Sequence, residues 1–159
     1  MILIILASGM GKRLNKKIPK CLVNVNNINL LERILLNSKN FEKVIVVGGY
    51  KINLIKKVIK IQDRSNIILI NNKDYKKTNM VESFFKAFGK IDQDVIVSYS
   101  DIIYDASLLK KMTSFKFNHI LLKSNWKKVW EQRMSAREIK SDAEDIRVNK
   151  NFITEIGAK

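Results

Sequence analysis

Two glycines flank one methionine in Leu6-Ala-Ser-Gly-Met-Gly-Lys-Arg-Leu14, and Pro19-Lys20 follows. An apolar run ends there and small residues take over. Gly9 and Gly11 can adopt positive φ and let a ligand reach backbone amides. Arg13 offers a planar fork for phosphate oxygens, and Lys20 a compact positive charge. The chemistry this suits is the binding of a phosphorylated ligand. Taken alone, a Gly-x-Gly favours an ordinary strand-to-loop turn with surface cations. It is not the dinucleotide fingerprint, because Leu14 stands where the third glycine belongs. Nor is it a P-loop, since no Gly-Lys-Ser/Thr follows.

Other polar groups recur at the ends of apolar runs. Asp101 closes the run Asp94 to Tyr99 in Tyr99-Ser-Asp-Ile102. Taken alone it reads as a helix cap or turn residue. Asn72 and Thr78-Asn-Met-Val-Glu-Ser83 form a further polar segment. Asn79 and Ser83 are four apart and share a helix face, where an amide and a hydroxyl can read a pyrimidine edge. Equally, Asn79 can cap the helix with Glu82 completing a capping box. Gly48-Gly49-Tyr50 reads as a strand stop before a helix. His119, the only histidine, reads as a strand residue, so Ser-His triads and histidine metal sites are excluded or nearly so.

The elements that must position these groups alternate in type. Short apolar runs at Ile2 to Leu6, Val44 to Val47, Ile67 to Ile70 and Asp94 to Tyr99 predict buried strands. A further strand is expected near His119 to Lys123. Helical spacing appears in Asn29 to Ser38, in Ile52, Ile55, Val58 and Ile59, in Met80, Val81, Phe84, Phe85 and Phe88, and near Ala106 to Met112. This alternation implies an open α/β domain of Rossmann type, with a mainly parallel sheet covered on both faces. Asp101 and the glycine loop then both fall at carboxyl ends of parallel strands, where open α/β sheets bind ligands. The last forty residues break the rhythm: Trp126 to Arg133 looks helical, and Ile146 to Val148 and Phe152 to Ile156 look like strands joined at Asn149-Lys150-Asn151. Ending on such a hairpin, the chain reads as an incomplete, C-terminally truncated domain.

The combination L-A-S-G-M-G-K-R-L with downstream P-K-C-L resembles the signature of the nucleotidyltransferases that make nucleotide-activated sugars and alcohols. Ser8 replaces a commoner alanine or glycine. The resemblance implies that Leu6, Ala7, Ser8, Gly9, Met10, Gly11 and Lys12 wrap a nucleoside triphosphate. It implies that Arg13 and Lys20 grip its phosphates, that Asp101 binds Mg²⁺, and that Asn72, Thr78, Asn79 and Ser83 belong to the base-reading segment. Gly48-Gly49-Tyr50 also matches a family turn. Trp126, Trp130 and Arg133 lie at i, i+4 and i+7, a stripe that reads as core or interface packing. With Asp142-Ala-Glu-Asp145 they also resemble the subgroup of phosphocholine and phosphoglutamine cytidylyltransferases of surface-polymer and capsule biosynthesis. There the three would form an acceptor pocket, with an aromatic wall suited to a quaternary ammonium and Arg133 to a phosphate. Lys123 stands where that subgroup is expected to carry an acid, which argues against a choline cation. Asp142, Glu144 and Asp145 are candidates to lie near the site.

The expected reaction is transfer of CMP from CTP to a small phosphorylated acceptor with release of pyrophosphate. The alternatives are a sugar-1-phosphate uridylyl- or thymidylyltransferase, or a nucleotide-binding module without turnover. The chain is read as a single nucleotidyltransferase domain over 1–159. Residues 1–104 form its nucleotide-binding half and 105–159 the start of an acceptor-binding half.

Composition sets the remaining bounds. With 159 residues and 46% hydrophobic content the chain supports one folded domain. Its net charge is +15, from 30 Lys and Arg against 15 Asp and Glu. Such a surface draws polyanions, but the lysines are scattered and no recognition motif appears, which argues against a nucleic-acid-binding protein. Cys21 is the sole cysteine, so an intramolecular disulfide is excluded. No apolar run has membrane-spanning length. The lone thiol and the lack of a targeting signal point to the cytoplasm, and a homo-oligomer stays open.

Overall fold

A computed structural model describes residues 1–11, 17–143, 145–150 and 152–157. The described residues form two compact units, Met1–Asn118 and His119–Lys159. In the first unit the order is β1 (Ile2–Ala7), β2 (Asn24–Val25), β3 (Ile28–Asn29), α1 (Leu30–Asn37), β4 (Lys43–Gly48), α2 (Ile52–Ile61), β5 (Ile67–Asn71), α3 (Met80–Lys86), β6 (Val95–Tyr99) and α4 (Ala106–Met112).

Four strands make one parallel sheet in the order β5-β4-β1-β6. Ile2 to Ile5 are fully buried, because a parallel strand between two helical layers has no solvent face. Leu3, Ile5, Val44 and Val46 pack against Leu31, Ile34 and Leu35 of α1, Ile55 of α2 and Leu109 of α4. Ile2, Ile4, Ile45 and Val47 pack on the other face with Phe84 of α3 and Ala87. The chain builds outward from β1 to β4 and β5, then reverses to place β6 on the other side of β1. The reversal puts the carboxyl ends of β1 and β6 side by side, at the switch point where such sheets bind ligands. Leu109 carries the first unit past residue 104, to Asn118.

Three sequence expectations differ from the structure. Residues 119–123 form no strand. Ile120, Leu121 and Leu122 are each at least half exposed, and an apolar run becomes a strand only where a ladder partner takes its backbone groups. In the 80–88 stripe only Phe84 packs into the core, while Val81, Phe85 and Phe88 lie exposed. The cause is polar: Ser83 is drawn inward by buried Asn72, so the inward line of this segment runs through Ser83, Phe84 and Ala87. Third, Gly9 keeps a φ outside the left-handed region, and of the two loop glycines only Gly11 adopts it, at +61°.

The second unit holds α5 (Trp126–Glu131), α6 (Ala136–Asp142) and the antiparallel pair β7 (Ile146–Asn149) and β8 (Phe152–Ile156). Ser135 and Glu138 form a capping box on α6, a helix that apolar spacing alone does not announce. Among the described residues no helix is long and apolar enough to cross a membrane.

Candidate active site

The loop after β1 is held by Ser8. Its hydroxyl donates to the Val47 carbonyl at 3.1 Å, and its own carbonyl accepts from the Tyr50 amide at 3.2 Å. A serine at this place therefore ties the loop to the neighbouring strand. Gly9 follows with open space where a Cβ would stand, so its backbone is uncovered toward the cavity it lines. Gly11 serves a different need. A Cβ there would meet the Lys20 Cβ at 3.0 Å, so the bare backbone admits Lys20 to the loop. Buried Pro19 leads into a 3-10 turn, Lys20–Leu22. That turn aims Lys20 outward and buries Cys21.

On the opposite wall, β1 and β6 run in register with Leu6 beside Tyr99, and the Ser100 amide donates to the Leu6 carbonyl. Asp101 comes two residues beyond the strand. It caps no helix, since α4 begins after Asp105. Its carboxylate instead pairs with the Lys20 ammonium. Lys20 and Asp101, 81 positions apart, thus meet in one cavity of about 240 Å³.

Asn72 shapes the third wall. It is fully buried. Its amide nitrogen donates to the Thr78 hydroxyl at 2.8 Å and the Ser83 hydroxyl at 3.1 Å, and its side-chain carbonyl accepts from the Asp74 amide at 3.1 Å. It folds the 72–78 loop from behind and is not itself in the cavity lining. Asn79 caps α3: Oδ1 accepts from the Glu82 amide, and Glu82 accepts from the Asn79 amide. Its Nδ2 makes no hydrogen bond among the described residues.

Of the residues singled out from the sequence, Leu6, Ala7, Ser8, Gly9, Gly11, Lys20, Thr78, Asn79, Ser83 and Asp101 line this one cavity. Met10 and Gly11 line a more open hollow beside it with Tyr75 and Lys76. Lys12 and Arg13 lie outside the described residues, as does Glu144. Tyr75, Met80, Tyr99, Ser100 and Cys21 also line the cavity; the last four fall inside the sequence motifs without being singled out there. For Cys21 the signal is its place in P-K-C-L; for Tyr75 there is none beyond its place in the 72–78 loop.

Burial pushes the Cys21 thiol up to about 12, and the negative charge of Asp101 adds to the effect. The thiol is therefore protonated at neutral pH and is no nucleophile. In the second unit Trp126 and Trp130 meet edge to face, with ring centres 5.3 Å apart. The Arg133 guanidinium lies 6.0 Å from the Trp130 ring centre. Asp142 and Asp145 belong to that unit.

A divalent cation is the group this donor set invites testing for. Among the described residues no cluster of three or more His, Cys, Asp or Glu side chains could cage a metal. Asp101 offers one partly exposed carboxylate beside a cavity. That fits Mg²⁺, which keeps its waters and takes one or two carboxylates plus phosphate oxygens.

Comparison with known proteins agrees with the geometry. The chain is 33% identical, over 98% of its length, to a CTP:phosphoglutamine cytidylyltransferase of Campylobacter jejuni subsp. jejuni, and spans 65% of that protein. The fold is similar to that of the inositol-1-phosphate CTP transferase from T. maritima, with a TM-score of 0.73 at 24% identity, covering 98% of this chain and 63% of the other. It is also similar to the CTP:phosphocholine cytidylyltransferase of Streptococcus pneumoniae, with a TM-score of 0.52 at 25% identity over 67% of this chain and 50% of that one. The model of the MobA-like NTP transferase domain matches residues 3–119, the stretch that carries the sheet, the glycine loop, Lys20 and Asp101, and the chain belongs to that family.

Proposed function

We propose that the chain serves a cytidylyltransferase, moving CMP from CTP to a small phosphorylated acceptor of phosphoglutamine or phosphocholine type and releasing pyrophosphate. The observation that carries this reading is the meeting of the β1 loop, Lys20 and Asp101 in one cavity at the β1–β6 switch point. The likeness to a phosphoglutamine enzyme supports the acceptor class. The product class would be an activated headgroup for surface polysaccharide decoration, made in the cytoplasm.

The chemistry asks little of acid–base catalysis. A phosphomonoester has a second pKa near 6, so the acceptor is already a nucleophile at neutral pH. Its oxygen attacks the α-phosphorus, and the bond to the pyrophosphate oxygen breaks. What the site must supply is charge compensation between two polyanions. Lys20 faces the phosphates from the loop side, and Arg13 is proposed to join it. Mg²⁺, held by Asp101 when bound, would supply further neutralisation of the triphosphate. The uncovered amides of the β1 loop orient the nucleotide, and Thr78, Asn79 and Ser83 face the base. Trp126, Trp130 and Arg133 are assigned to the acceptor.

The test is pyrophosphate release from each of the four nucleoside triphosphates, with phosphoglutamine, phosphocholine and sugar phosphates as acceptors. Turnover with CTP and an amino-alcohol or amino-acid phosphate is expected. Turnover only with UTP or dTTP and a sugar 1-phosphate overturns the base and acceptor assignments. CTP binding without pyrophosphate release would make the chain a nucleotide-holding module.

A further inference from the structure

The turn Gly48-Gly49-Tyr50 lines no part of the cavity, yet it touches two of its walls. Toward the first wall, the Tyr50 amide donates to the Ser8 carbonyl at 3.2 Å. Toward the second, the Gly48 carbonyl accepts from the Asn72 amide at 2.7 Å. Gly49 lies between them. A Cβ built on it would stand 2.6 Å from the Tyr75 Cβ, 2.9 Å from the Tyr75 Cγ and 2.9 Å from the Ser8 carbonyl oxygen. Gly49 does not use a left-handed φ, so backbone freedom is not why glycine stands here. Space is. Tyr75 and Ser8 both close onto the same bare backbone, and both then line the cavity. Two neighbouring hydrogen bonds fix the turn itself, so a side chain at Gly49 has to be absorbed by the walls.

We infer that Gly49 is a positioning residue whose missing side chain sets the gap between the Ser8 wall and the Tyr75 wall, and so the width of the cleft that receives the nucleotide. It acts through those two residues and touches no ligand. The identity of the ligand rests on the reading given above; the setting of the gap does not.

Gly49→Ala, Tyr75→Gly and the double variant test it, with two measurements. The first is amide hydrogen exchange without ligand. Exchange is expected to quicken in Gly49→Ala at both Ser8–Gly11 and Asn72–Asn79, with α1 and the β1 and β4 interiors unchanged. The second is CTP affinity by calorimetry in the presence of Mg²⁺. Gly49→Ala is expected to weaken binding about tenfold or more in the natural background, and less than about threefold in the Tyr75→Gly background, where two of the three close atoms are gone. An equal loss in both backgrounds, or unchanged exchange at either wall, overturns the inference. If Gly49→Ala fails to fold, recovery of folding in the double variant supports it and failure of both variants overturns it. Should the natural chain bind no CTP while exchange quickens at both walls, the spacing role stands and the nucleotide reading falls.

Discussion

Replacing Lys20 by alanine separates its electrostatic task from any structural one, because the two predict very different magnitudes. Lys20 is about half exposed, and its carboxylate partner Asp101 is 29% exposed. A pair so open to water contributes about 0.2–1 kcal/mol to folding. In a chain of this length that moves the melting temperature by only about 2–4 °C per kcal/mol. Against a phosphate the same ammonium does more. A unit charge about 4 Å from another, at the effective dielectric of a protein surface, is worth about 4 kcal/mol. Removing one such stabilising group costs about 10²–10³ in turnover. Lys20→Ala is therefore expected to melt within a few degrees of the natural protein while losing two to three orders of magnitude in pyrophosphate release. Stopped-time release assays beside differential scanning calorimetry read both quantities on one preparation. Lys20→Arg is expected to recover only part of the rate, since a planar fork does not replace a compact ammonium. Turnover within about threefold of the natural chain would refute the assignment. So would loss of rate in step with a large drop in melting temperature.

Three further outcomes follow from named contacts. Cys21 ionises near 9.0 when exposed and near 12 in the fold, so its stabilisation is complete below the lower value and is lost as pH rises through the upper one. That is a loss of about 4 kcal/mol at 1.36 kcal/mol per unit, read as a steep alkaline fall in urea midpoint that is absent in Cys21→Ala; parallel curves would refute it. Arg64 donates to the carbonyls of Leu35 and Ser38, the Ser38 hydroxyl and the Asn66 side chain. Arg64→Ala removes these charged hydrogen bonds, although the Leu35 and Ser38 carbonyls keep the Ser38 and Phe41 amides, and should cost about 1–3 kcal/mol in urea unfolding, with pyrophosphate release at room temperature unchanged. Asn79→Ala removes the α3 cap and should cost about 1 kcal/mol. Asn79→Ser keeps a capping oxygen and should restore the melting temperature without restoring the CTP-over-UTP ratio, if Nδ2 reads the base; an unchanged ratio in both variants removes Asn79 from recognition.

The sheet was legible because its strands are buried on both faces and so leave continuous apolar runs, as in Ile2 to Ile5. The same rule fails at 119–123, although Ile120-Leu121-Leu122 at its centre is wholly apolar. Composition records what a segment can bury, not whether a partner strand is there to accept its backbone hydrogen bonds. The hairpin β2–β3 leaves no apolar run to read, for the opposite reason. Its strands have two residues each, and its turn places Asn26 and Asn27 at φ of 52° and 63°, a conformation asparagine tolerates without advertising it. The α6 helix had its signal in Ser135 and Glu138, but its apolar content is slight.

The site divides along a similar line. The glycine loop and Asp101 were legible as neighbours because each follows a strand end, and parallel strands deliver such ends to one edge whatever the loops do; Lys20, marked in the sequence by Pro19-Lys20, reaches the cavity through the 3-10 turn Lys20–Leu22. Tyr75 was not, because its position depends on where the 72–78 loop folds back, and that is decided by the buried side chain of Asn72. Asn72 carries a second lesson. The family resemblance puts it in the base-reading segment, yet each of its side-chain polar atoms is spent inside the fold. Those bonds hold Thr78 and Ser83 at the cavity wall. A residue type fit for recognition can thus serve recognition at one remove. The distinction is measurable, because Asn72→Ala should disturb the wall's hydrogen exchange before any ligand is added, whereas Asn79→Ser, which removes Nδ2 but keeps a capping oxygen, should not.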